Sequence, residues 1–249
     1  MSGPHEIDFS KRAQLTERMD EPCTRDEMRA CLRDIGKLNR WTLANLATMN
    51  WLNGVRSSAP LLGQPLSILD VGCGDGDGLR RIEQWAMRLG VAVDLVGIDL
   101  NLDAAALATE ARPYWSRIRY FHGNVFAYRP QKPIHVVISS LVAHHLSDLD
   151  VVRFLQWMEK RAEIGWFIND LSRAPIPYYA IRVIAKLTRL HPFVQHDAPV
   201  SIARSFVPGD WQRMCSAAGF GDNDILIQSF KPARLCVSRI KQLQPGTPK

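Results

Sequence analysis

The chain has 249 residues, 46% of them hydrophobic and 22% charged, which is enough to bury the core of one large α/β domain with an appendage. Its longest apolar runs, such as VDLVGIDL and IHVVISSLVA, fall short of the roughly 18 to 20 residues that cross a bilayer, and MSGPHEIDFSKR lacks the apolar centre of a secretory signal. The net charge of +6 comes from scattered Lys and Arg with no aromatic-interleaved stripe, so it reads as a solvated basic surface and excludes a nucleic-acid partner while leaving membrane-surface contact open. No transmembrane segment or export is expected, and the chain is placed in the cytoplasm.

Residues 1–25 read as a loose arm. Thr24 with Glu27 three positions on forms a capping box, and apolar positions from Met28 to Leu52 then recur at helical spacing until NGVRSSAP breaks them. One or two amphipathic helices therefore precede the core, and the division is set as 1–60, arm and helical cover, and 61–249, core. From Leu66 the texture changes to short β-branched runs alternating with helical stretches. LSILDV, VDLVGID, IRYFHGN, IHVVISSL and IGWFINDL read as strands, with helices expected over 79–89, 103–112 and 148–162. That alternation predicts a doubly wound, mostly parallel α/β sheet that binds ligands beyond the carboxyl ends of its strands.

After Asp170 a proline-flanked helical insertion interrupts the pattern, taken as a lid over 174–206. Arg182, Lys186 and Arg189 form one narrow polar stripe on its helix, which otherwise requires cover on most sides. Helix 208–218 follows, and DILIQSF with ARLCVSRI forms a closing hairpin, bringing the sheet to seven strands. The five cysteines, Cys23, Cys31, Cys73, Cys215 and Cys236, contain no C-x-x-C pair and read as reduced and mostly structural.

The chemistry concentrates in SILDVGCGDGDGLRRI, residues 67–82. A phosphate loop of the G-x-x-x-x-G-K-[ST] type needs a lysine and a hydroxyl that do not follow here. The dinucleotide pattern G-x-G-x-x-G fails in both frames, meeting Asp77 from Gly72 and Leu79 from Gly74. A phosphate about 4 Å from Asp70, Asp75 or Asp77 would cost on the order of 4 kcal/mol at an effective dielectric of 20. The bare backbone at Gly72, Gly74, Gly76 and Gly78 therefore suits a ligand that is not anionic, and S-adenosylmethionine, with its sulfonium and ammonium, meets that requirement.

ILDVGCGDGDG resembles motif I of the class I S-adenosylmethionine-dependent methyltransferases, and VGIDL places Asp99 where that family holds the ribose hydroxyls. The resemblance spans roughly residues 66–240. It implies S-adenosylmethionine as cofactor, S-adenosylhomocysteine as product, and cofactor contacts from Asp70, Gly72, Cys73, Gly74, Asp99, Leu100, Asn124, Val125 and Ser140. Asn124 stands where the family has an acidic residue beside the adenine. The fourth strand ends ISSLVAHHLSD and the fifth FINDL, delivering His144, His145 and Asp170 to one sheet edge. A similar H-H-[LM] element with a following aspartate occurs in small-molecule O-methyltransferases, which makes His144 the expected base, supported by Asp170, with His145 as the alternative. The strand ends offer Ser139, Ser140 and Asn169 beside one aspartate, so no metal is expected. SSLV stands in place of the D/N-P-P-Y/F element of the nucleobase enzymes.

Tyr178, Tyr179, Ile181, Leu187, Phe193 and Phe206 are expected to line an apolar acceptor cavity, with His191, His196 and Arg204 at a polar head group. RDIGKLNRWTLAN and HDAPVSIARSF are similar to parts of bacterial methyltransferases of polyketide-derived phenols and phenolic lipids, a natural-product setting. The expected reaction is O-methylation of a phenolic hydroxyl on a hydrophobic small molecule. C-methylation of a quinol ring and a non-catalytic cofactor-binding protein are the alternatives, and the oligomeric state is open.

Overall fold

A computed structural model describes residues 7–58 and 63–241. The division set at 60/61 lies outside the described residues. Chain order runs α1 (Arg25–Trp41), α2 (Asn45–Ser58), β1 (Leu66–Val71), α3 (Asp77–Arg88), β2 (Val93–Asp99), α4 (Leu102–Glu110), β3 (Arg119–His122), β4 (Ile134–Ser140), α5 (Asp148–Arg161) and β5 (Ala162–Leu171). It continues with α6 (Pro175–Leu187), α7 (Pro192–Arg204), α8 (Pro208–Ala217), β6 (Leu226–Phe230) and β7 (Arg234–Ile240).

The strands form one seven-stranded sheet in the order β3-β2-β1-β4-β5-β7-β6. The first five are mutually parallel; β7 runs antiparallel to β5 and to β6. The closing hairpin thus inserts its second strand next to β5 and leaves β6 on the edge. Alternate residues of each strand feed opposite faces. Leu69, Val71, Val137 and Ile168 join Phe154, Met158, Trp211 and Met214 on one face, while Ile68, Leu95, Val136 and Ile138 join Leu52, Leu79, Ile82 and Trp85 on the other. Both faces are apolar because helices cover both.

The reversal of strand order between β1 and β4 opens the crevice at which doubly wound sheets bind ligands. Here β1 passes into α3 through three glycines with left-handed backbone, Gly72, Gly74 and Gly76 at φ 72°, 55° and 77°. That conformation penalises any side chain. The turn also has no room for one, since a Cβ on Gly72 would lie 2.2 Å from Val142 Cγ2 and one on Gly76 would lie 2.3 Å from the Tyr120 hydroxyl. Helix α3 starts at Asp77, earlier than the expected residue 79, because Asp75 Oδ1 accepts the Asp77 N–H (3.1 Å).

The arm differs from the expectation of looseness. Its described part is docked on α7: Asp197 accepts the Arg18 and Met19 N–H groups at 2.9 and 3.0 Å, and Ala13 N–H donates to Ala203 O at 3.0 Å. Thr24 and Glu27 form the capping box of α1 as expected. Helix α6 is a second difference: it is covered on one side only, and Ile176, Val183 and Leu187 are 81%, 56% and 77% exposed. All five cysteines are free thiols. Among the described residues no helix is long and apolar enough to cross a membrane.

Strand β7 packs on β5 at a point where only hydrogen fits, because a Cβ on Gly165 would meet Arg239 O at 2.2 Å. Gly165→Ala should therefore cost about 1–3 kcal/mol through forced separation of the strands, read as a lowered urea midpoint; an unchanged midpoint would refute this packing.

Candidate functional site

Three aspartates lie at the carboxyl ends of β1, β2 and β5, and each meets its buried charge differently. Asp99, closing β2, accepts the Gly74 N–H through Oδ2 (2.8 Å) and the Asn101 N–H through Oδ1 (2.9 Å), which ties the glycine turn to the next strand. Asp70, in β1, is buried, and among the described residues no donor bonds its carboxylate. Burial, and then the charge of Asp99, push its pKa up to about 8. An acid without a donor, above a turn that excludes side chains, calls for a cationic ligand.

Around this pair, Cys73 is buried with its thiol pushed up by burial, and Leu100 stands exposed at the rim. Asn124 Oδ1 accepts the Phe126 N–H (2.9 Å), so this side chain serves first as the cap of a short 3-10 turn that buries Val125. Ser139 Oγ donates to Val71 O (2.9 Å), fixing β4 to β1, and Ser140 follows at the mouth of the crevice. A cavity of about 340 Å³ opens beside Leu100, Asn101 and His122, walled on its outer side by Glu21, Cys23 and Met28 of the amino-terminal segment.

The third aspartate, Asp170 of β5, is fully buried and compensated within the protein. Its Oδ2 accepts the His144 backbone N–H (2.9 Å), and its Oδ1 lies 2.7 Å from His144 Nδ1 and accepts the Leu171 N–H at 2.7 Å. The sequence-predicted pair is therefore brought together, on the turn whose Val142 abuts Gly72. Leu141 enters that turn with a left-handed backbone, φ 59°.

Sequence reading missed the group on the other side of the ring. Glu17 Oε1 lies 3.5 Å from His144 Nε2, and Glu17 Oε2 lies 3.7 Å from His145 Nε2. Burial alone would lower the His144 pKa, but the charge and hydrogen bond of Asp170, reinforced by Glu17, lift it to about 9. His145, partly exposed, pairs Nδ1 with Asp20 Oδ1 at 3.2 Å; this contact first, opposed by burial, draws the Asp20 carboxyl down to about 2. Arg204 bridges Glu17 and Asp20 at 3.4 and 3.1 Å. LTERMDEP carries no helical or strand periodicity, and only its three carboxylates, Glu17, Asp20 and Glu21, hint at a role.

The expected acceptor lining is largely corrected. Phe206 is core, packed on Trp211. Leu187 faces solvent, and Phe193 packs with Cys31 of α1, whose Sγ sits 3.1 Å from His191 Nδ1. His196 pairs with its neighbour Asp197 at 2.7 Å. Tyr178, Tyr179 and Ile181 remain together with the arm, where Phe9 meets both tyrosine rings edge-on. Of the three polar residues, Arg204 alone reaches the histidine pair.

Comparison with known proteins agrees with this geometry. A family model described as a methyltransferase domain matches residues 68–165, from β1 into β5. The plantazolicin methyltransferase BpumL, solved in complex with SAH, superposes with a TM-score of 0.61 at 14% identity, covering 86% of this chain and 95% of its own. Magnesium protoporphyrin IX methyltransferase ChlM from Synechocystis PCC 6803, with bound SAH, gives 0.54 at 12% identity, covering 94% and 91%. No curated protein matches the chain in sequence. Residues 68–165 thus match a methyltransferase-domain model, and the chain has the Rossmann-like fold of the class I, S-adenosylmethionine-dependent methyltransferases.

S-adenosylmethionine, the methyl donor of that class, fits the residues present, because the Asp70 carboxylate has no donor among the described residues and the adjoining glycine turn presents bare backbone. Asp70 also yields a prediction. Its acid is ordinary in the unfolded chain, near 3.9, and raised to about 8 when folded, so it lowers stability progressively as pH rises from about 4 to 8 in the ligand-free protein. Asp70→Asn should raise the ligand-free melting midpoint at pH 8 while weakening donor binding by calorimetry. A variant that melts lower and binds the donor as tightly would disprove this role.

Proposed function

We propose that the protein methylates a hydroxyl group, phenolic in character, on a hydrophobic small molecule, using S-adenosylmethionine and a base at His144. The observation that supports this most directly is the His144–Asp170 pair on the turn that abuts Gly72. The Gly72–Gly76 turn and Asp70 would hold the cationic end of the donor, Asp99 its ribose, and Cys73, Leu100, Asn124, Val125 and Ser140 the remainder. When bound, the donor supplies a sulfonium methyl for in-line displacement.

His144 is the group that takes the acceptor proton, at Nε2, while Asp170 holds Nδ1–H and stabilises the resulting imidazolium. In the arrangement seen here Glu17 covers Nε2 and the high pKa keeps the ring protonated, so the base works once Glu17 gives way to the acceptor oxygen. A phenol, with a pKa near 10, is the hydroxyl for which such a base is useful. His145, held between Asp20 and Glu17, borders the same place.

Residues 1–60 act as cover and 174–206 as lid on the core 61–249. The exposed face of α6, with Ile176, Val183 and Leu187 beside Arg182 and Lys186, supports a lipophilic acceptor reached from an anionic or apolar surface. The plantazolicin and magnesium protoporphyrin names of the structural neighbours belong to different acceptors, so the fold leaves that choice to the covers.

His144→Ala should lower S-adenosylhomocysteine formation about 10²- to 10⁴-fold with donor affinity unchanged. The assay is mass spectrometry and NMR of the product after offering phenolic lipids. An unchanged rate removes the base, a carbon-bound methyl moves the reading to a quinol C-methyltransferase, and donor binding without turnover on any acceptor reduces it to a cofactor-binding protein.

A further inference from the structure

We propose that Glu17, His144 and His145 form a binding site for one divalent transition-metal ion of the zinc type. The two imidazoles are held alike. Each turns Nδ1 to a carboxylate, His144 to Asp170 at 2.7 Å and His145 to Asp20 at 3.2 Å, and each turns Nε2 to the third carboxylate, Glu17, at 3.5 and 3.7 Å. A carboxylate on Nδ1 fixes the proton there and leaves the Nε2 lone pair outward, which is how proteins orient histidine toward a metal. Glu17 thus faces both Nε2 atoms, so three groups of metal-binding type converge on one point.

The separations suit one. The ligand atoms of Glu17, His144 and His145 all lie within 4.8 Å of one another, and bonds of 2.0–2.1 Å to a tetrahedral ion call for about 3.4 Å, a difference that side-chain rotation can close. Two imidazoles and one carboxylate favour zinc or ferrous iron over magnesium or calcium, which prefer oxygen alone. Three protein ligands leave a fourth position open. Arg204 is the other cation at the cluster; shared between Glu17 and Asp20, it offsets one carboxylate of the two.

The frame is in place without the ion. Asp197 grips the Arg18 and Met19 amides, and Arg12 donates to His144 O and Leu146 O, both at 3.0 Å, so Glu17 is held over the histidine pair by bonds that do not involve the ion. The inference rests on the proposed function in one respect: an ion and an acceptor proton compete for the same Nε2 lone pair, so zinc should inhibit methyl transfer.

The test begins with chelator-treated full-length protein dialysed against micromolar zinc chloride, with bound zinc counted by atomic emission. The wild type should retain one ion per chain, Glu17→Gln and His145→Asn should each weaken retention at least tenfold, and Asp148→Asn, at the outer partner of Arg12, should leave it unchanged. Donor binding by calorimetry confirms that the variants are folded. No zinc on the wild type, or wild-type retention by both ligand variants, overturns the site and leaves the proposed base standing. Zinc that is retained and required for turnover upholds the site and removes the base.

Discussion

Negative charge buried at the carboxyl edge of the sheet is the constraint on which this structure turns. Asp70, Asp99 and Asp170 sit on neighbouring or near-neighbouring strands, where the low-dielectric sheet interior makes an ionised carboxylate expensive. Asp99 is met by two backbone amides and Asp170 by an imidazole and two more. Asp70 is met by nothing in the described protein. Asp170 is compensated within the protein, Asp99 only partly, since burial outweighs its two amides and keeps its pKa raised, and Asp70 has no donor among the described residues, so uncompensated negative charge collects at the β1–β2 end of the crevice.

The same accounting explains the amino-terminal segment. Ile7, Phe9 and Ala13 pack on Tyr178 and Ile202, while the stretch around Glu17 is attached by polar contacts: backbone amides to Asp197, Arg12 to carbonyls on the His144 turn, and Glu17 and Asp20 among two histidines and Arg204. A segment held chiefly by directional polar contacts can exchange them for a ligand more readily than one buried in a core. Its position over Nε2 of His144 makes it, in the proposed reaction, the part of the chain that the acceptor displaces.

Helix α6 shows how burial and sequence pattern part company. Its mean composition is apolar and its polar stripe narrow, which on periodicity alone demands cover on several sides. The structure gives it α7 and the arm, and leaves Ile176, Val183 and Leu187 in solvent. Periodicity records how much surface a helix would bury, not whether a partner is available to bury it.

What the sequence by itself determined was local: the strand–glycine turn–helix of residues 66–88, Asp99 at the end of the next strand, the Thr24 cap, and the arrival of His144 and Asp170 at one edge. Each follows from backbone chirality, period-2 burial or the parallel order of βα units, all of which act within a few tens of residues. Tertiary structure decided the rest. Glu17 reaches His144 across more than a hundred residues, Phe206 is core and not cavity, and β7 rather than β6 lies against β5, close enough at Gly165 that only hydrogen fits. These depend on which surfaces meet in space, and no spacing along the chain encodes that.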